Sequence, residues 1–110
     1  MNRKTIYIAG PMTGREDNNF DEFDAAEIKL QNEGWQVVNP TDFNNVFGSN
    51  PEGKLLDAVM ECERAVIPHL DAIYLLKGWN KSKGAKRELL VALQHDLIVI
   101  EEGEEDAAQA

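Results

Sequence analysis

Short apolar runs and helical stripes take turns along the chain. Lys4 to Ala9 ends in TIYIA, a run suited to a buried strand. Phe20, Phe23, Ala26, Ile28 and Leu30 then give a helical pattern within Asn19 to Asn32, and Gly34 follows at the C′ position that favours glycine. Trp35 to Val38 reads as a second strand, ended by Asn39-Pro40. Thr41 to Gly53 is rich in Asn, Gly, Ser and Pro and predicts a mobile loop. A further stripe runs through Leu55, Leu56, Val59, Met60, Ala65 and Val66, and Pro68 should end it. Asp71 opens a third strand, DAIYLL. SKGAKRE then leads into the stripe Leu89, Leu90, Ala92 and Leu93, and a fourth strand follows over Leu97 to Ile100.

Strands alternating with helices predict an α/β fold: a three-layer α/β/α sandwich around a Rossmann-like or flavodoxin-like parallel sheet of about four strands. The expected order is 2-1-3-4, which sets the first and third strands side by side at a switch point. The loops after both strands then face one cavity.

Length and composition narrow the picture. At 110 residues and 43% hydrophobic content the chain has room for a single core. Residues 1–100 are expected to form the domain, and 101–110 a solvated, disordered acidic tail. The apolar runs are too short for a membrane span, the basic start leads straight into a strand, and the lone Cys62 fits a reducing compartment, so a cytoplasmic protein is expected. A net charge of −9 argues against tracking polymer nucleic acid, even though five of the acids lie between Glu101 and Asp106. No zinc-type Cys or His spacing is present, so no metal is expected.

Candidate chemistry gathers at two corners. One is Gly10-Pro11-Met12-Thr13-Gly14 after the first strand, which lacks both the P-loop lysine and the dinucleotide glycine spacing. The other is Ser82 to Glu88, which would set Glu88 in the first turn of a helix, where dipole and free amides keep it ionised and offer a seat for an anion. Glu88 is then either a complement to the dipole or a carboxylate nucleophile facing a sugar. Tyr7 and Trp79 can pack or contact a ring.

Taken in order, TIYIAGP, Asn19-Phe20, Gly34 with Val37 to Pro40, DAIYLL, and Gly78-Trp79 through Ser82-Lys83-Gly84-Ala85 to Glu88 resemble a family of small bacterial and phage proteins of uncharacterised function. That family in turn resembles the nucleoside 2-deoxyribosyltransferases and the 2′-deoxynucleoside 5′-phosphate N-hydrolases. The resemblance implies that Glu88 attacks C1′ of a deoxyribose and displaces the base, with Tyr7 orienting it. Another base or water then resolves the glycosyl-enzyme. It implies no cofactor, a nucleoside or nucleotide as partner, and a homo-oligomer.

Gly10, Pro11, Met12, Thr13, Gly14, Asn39, Trp79, Ser82 and Gly84 would form the substrate-binding set. Ser82, where the transferases tend to carry an aspartate, tilts the substrate towards 5′-monophosphates, since a hydroxyl can donate to a phosphate that a carboxylate repels. Glu63 is a departure. It stands where the family usually has the aspartate that helps protonate the leaving base, and its extra methylene shifts the carboxyl by about 1 Å, enough to cost on the order of 10²-fold in rate. A non-catalytic nucleotide-binding or interaction protein on the same fold is the alternative. Asp71 is expected to hydrogen-bond at its strand start.

Overall fold

The computed structural model describes residues 3–12, 19–48 and 51–103. Its centre is a four-stranded, all-parallel sheet in the order β2-β1-β3-β4, formed by β1 (Thr5–Ala9), β2 (Gln36–Val38), β3 (Ala72–Leu75) and β4 (Ile98–Glu101). The expected order and sandwich are therefore observed. The two central strands are apolar almost throughout because both of their faces are covered. Ile6 to Ala9 and Ala72 to Leu75 are all buried.

The connections put α1 (Phe20–Asn32) on one face of the sheet and α4 (Lys83–Gln94) on the other. Ile6, Ile8, Ala72 and Tyr74 point to the α1 face and meet Phe23, Ala26 and Leu30. Tyr7, Ala9, Ile73 and Leu75 point to the α4 face and meet Ala85 and Ala92. The period-2 alternation of strands supplies both cores from the same short runs.

Gly34 ends α1 as expected. With φ +99° it directs its own N–H to the Gln31 carbonyl and that of Trp35 to the Leu30 carbonyl, the paired bonds of a Schellman motif. Asp71 also behaves as expected: its carboxylate accepts from the Thr5 backbone N–H at 2.8 Å and from the Thr5 hydroxyl at 3.1 Å, tying the starts of β1 and β3 together.

Two expectations are corrected. Thr41 to Gly53 is not loop throughout, because Thr41–Phe47 forms α2. Asn39 acts as its cap, accepting at Oδ1 from the Thr41 backbone N–H (3.0 Å) and hydroxyl (2.8 Å), and Pro40 supplies a first-turn residue that needs no hydrogen-bond acceptor. The chain is also ordered beyond residue 100. Glu101 continues the β4 ladder beside Leu75, and the Glu102 N–H donates to the Leu75 carbonyl at 2.8 Å. Backbone pairing is indifferent to the charge of a side chain that reaches solvent. The tail from Glu104 onward lies outside the described residues.

Between β2 and β3 the chain forms α3 (Gly53–Val66), followed by a 3-10 turn, Ile67–His69, that contains Pro68. Among the described residues no helix is long and apolar enough to cross a membrane.

Candidate active site

Three side chains distant in sequence converge on the α4 face. Tyr7 comes from β1, Glu63 from α3 and Glu88 from α4, and the Tyr7 hydroxyl donates to Glu88 Oε2 at 2.5 Å. The Glu63 carboxyl stands beside the Glu88 carboxyl, close enough for each to shift the titration of the other.

Local sequence explains how α4 carries Glu88. Ser82 caps the helix by accepting from the Ala85 N–H at 3.2 Å, which starts α4 at Lys83. Ala85, Glu88 and Ala92 then fall on the face that packs against the sheet. Glu88 is thus in the second turn, not the first, and it points at Tyr7 instead of the helix terminus.

This changes its electrostatics. The helix terminus was expected to keep Glu88 ionised, but burial pushes its pKa well above the ordinary carboxylate value, and the neighbouring Glu63 carboxyl pushes the same way. Only the Tyr7 hydroxyl favours the anion. Burial also raises Glu63, partly offset by the neighbouring Glu88. Tyr7, sealed in the core beside two acids, is pushed up as well and stays a phenol. Each glutamate therefore keeps its proton to a higher pH than an exposed carboxyl does.

The other expected site residues divide. Trp79 packs half-buried on the α4-face core with Tyr7, and Ser82 sits at the start of α4 with Gly84 exposed beside it. Gly10 packs against the core: a Cβ there would lie 2.8 Å from the Leu76 Cβ, so its missing side chain makes room for Leu76. Pro11 is buried, with its carbonyl accepting from Asn19 Nδ2 at 3.0 Å, and Met12 packs on the α1-face core. Asn39 is committed internally, its Nδ2 donating to Asp24 and Glu27 while its Oδ1 caps α2. Thr13 and Gly14 lie outside the described residues.

Sequence reasoning missed that the two glutamates, 25 residues apart on different helices, stand side by side. It also missed a groove of about 290 Å³ on the α1 face, lined by Lys29, Tyr74, Lys77 and Glu102 among others. That groove is across the sheet from Glu88, so the chemistry-bearing residues do not line it. Among the described residues no cluster of His, Cys, Asp and Glu is arranged to hold a metal ion.

No curated protein matches this chain. A family model described as a domain of unknown function, DUF4406, matches residues 4–101, a span that takes in every strand as well as Tyr7, Glu63 and Glu88, and the chain belongs to that family.

Proposed function

We propose that the protein cleaves the N-glycosidic bond of 2′-deoxyribonucleosides or their 5′-monophosphates, with Glu88 as nucleophile. The observation that carries this reading is the Tyr7 hydrogen bond to Glu88, with Glu63 beside it, at a buried position next to the central strands. An acid and a nucleophile are both needed for such a bond, and two neighbouring carboxyl groups supply them when one is protonated and the other ionised.

In the first step a Glu88 carboxylate oxygen bonds to C1′ as the C1′–N bond breaks. The electron pair of that bond leaves with the base, which takes the proton from Glu63. The Tyr7 hydroxyl stays on Glu88, favouring its charge before attack and fixing its rotamer. In the second step water, or the N–H of an incoming base, returns a proton to Glu63 while its oxygen or nitrogen bonds to C1′ and releases Glu88. Ser82 already accepts the Ala85 N–H, which leaves its own hydroxyl proton for a 5′-phosphate. Self-association belongs to the same reading.

The test is release of free base from a panel of deoxynucleosides and their 5′-monophosphates, with and without an acceptor base. Glu88→Ala should lower release on the order of 10³-fold or more. Acceptor dependence then separates transfer from hydrolysis, and equal or tighter binding of the free nucleoside would remove the role given to Ser82. One observation favours a second reading: Glu88 is only 8% exposed. A monophosphate that binds while no base is released across the panel would make the protein a nucleotide-binding module.

A further inference from the structure

The exposed charges of the chain are sorted by face. Between Lys77 and Gln94 the sequence carries Lys77, Lys81, Lys83, Lys86 and Arg87, five of its 11 cations, and all five are exposed. The one acid of that stretch, Glu88, is buried. α1, on the opposite side of the sheet, carries Asp21, Glu22, Asp24 and Glu27, and its one cation, Lys29, pairs with Glu33 at 3.0 Å. One outer layer is thus basic and the other acidic.

Each charged face also has an apolar centre. Lys83, Lys86, Leu90 and Leu93 follow one another at intervals of three or four residues, on the side of α4 turned away from the buried Ala85, Glu88 and Ala92. Leu90 and Leu93 are 56% and 55% exposed. On α1, Asp21, Asp24, Ala25 and Ile28 share the side turned away from the buried Phe23, Ala26 and Leu30, and Ile28 is 60% exposed. An apolar centre with a charged rim is the make-up of a docking surface, and opposite rims make two such surfaces complementary.

Charge decides which pairings are possible. Two α4 faces brought together would set Lys86 and Arg87 against their own copies, and two α1 faces would do the same with Asp21 and Asp24. α1 of one copy on α4 of the next instead sets cations against carboxylates, and Ile28 against Leu90 and Leu93. The net charge of −9 does not prevent this. At physiological ionic strength the screening length is about 8 Å, so acids elsewhere on the two copies are largely screened from one another while groups in contact are not.

We propose that the outer face of α4 is an interaction surface for a second copy of the chain, which docks on it through the outer face of α1. The contact is heterologous. Because the two faces lie on opposite sides of the sheet, two copies cannot make it twice. Each dimer leaves one basic and one acidic face open, and association continues beyond two copies as concentration rises. A contact between single helices belongs to the small, weak class of interface. This gives the self-association proposed above a surface and a direction, and it does not depend on whether Glu88 cleaves a bond.

Sedimentation equilibrium of the full chain tests it, from about 10 μM to about 1 mM, the range in which weak contacts fill. The weight-average mass of wild type should rise past that of a dimer. Lys86→Glu/Arg87→Glu and Asp21→Lys/Asp24→Lys should each stay monomeric, since each variant gives both faces one sign. The second variant also lowers the net negative charge, which would strengthen association if net charge alone governed it. Asp24 accepts from Asn39, but Glu27 holds the same amide at 2.9 Å, and melting curves of both variants check that the fold survives. Mixed in equal amounts, the two variants should associate again, because the acidic α1 of one fits the basic α4 of the other. A monomeric wild type, a mass that levels off at a dimer, loss of association in only one variant, or a mixture no larger than its parts would each overturn the proposal. A dimer that neither variant disturbs would do so while leaving self-association in place, and base release is measured separately from all of them.

Discussion

A glycine after a strand invites a ligand-binding reading, and Gly10 shows how packing can demand the same residue. Its backbone lies outside the positive-φ region, so alanine can adopt its conformation, and what forbids a methyl group is the Leu76 side chain at 2.8 Å. Gly10→Ala should cost about 1–3 kcal/mol by overpacking. Leu76→Ala, which empties the opposing space, should cost about 2–5 kcal/mol alone. The double variant should cost less than the two single costs together, because the new methyl group enters the vacated space. Urea unfolding of the four proteins reads this directly. A Gly10→Ala variant of unchanged stability would return the glycine to a ligand role. At this scale Tyr7, Glu63 and Glu88 could be singled out by residue type and resemblance, but the direction in which their surroundings shift their pKa values could not. Glu88 owes its raised pKa to burial by elements far along the chain, whereas a local reading of the helix start implied the opposite.

Caps decide the elements, and they were read with uneven success. Ser82 was read only as a phosphate donor, and the structure shows that it also caps α4, which begins at Lys83. Asn39-Pro40 looked like the end of β2 and is that, but it is also the start of α2, since an asparagine that stops a strand offers the same carbonyl oxygen that caps a helix. Asn44, Asn45 and Gly48 then biased the reading towards loop. The cap at Ser82 can be separated from its proposed phosphate contact. Ser82→Ala should lower stability by about 1 kcal/mol through loss of the bond to the Ala85 N–H. Ser82→Asp should restore that stability, because a carboxylate caps well and suits the helix dipole. If Ser82 also holds a 5′-phosphate, neither variant should bind a monophosphate as wild type does, and the aspartate should bind it more weakly than the alanine. Thermal melts with and without monophosphate measure both quantities.

For the whole molecule, two groups of carboxylates pull the pH dependence of stability in opposite directions. Asp71 is held below its ordinary pKa by its Thr5 hydrogen bonds, so its contribution is present above the usual carboxylate range and fades as pH falls through its lowered value. Glu63 and Glu88 are raised, so the folded state binds more protons than the unfolded chain from the ordinary carboxylate pKa of about 4.3 up to the raised values. Stability should therefore decline as pH rises through that window. The net charge of −9 gives a decline of the same sign, because acids spread over the surface repel one another as they ionise. Salt distinguishes the two. About 1 M salt shortens the screening length to roughly 3 Å and suppresses surface repulsion, but it reaches a buried contact far less. Denaturant unfolding between pH 5 and pH 9 should thus keep a residual slope at high salt in wild type, and Glu63→Gln should reduce it to the part that burial of Glu88 contributes. A slope that salt alone removes would mean that neither glutamate keeps a raised pKa in the folded protein.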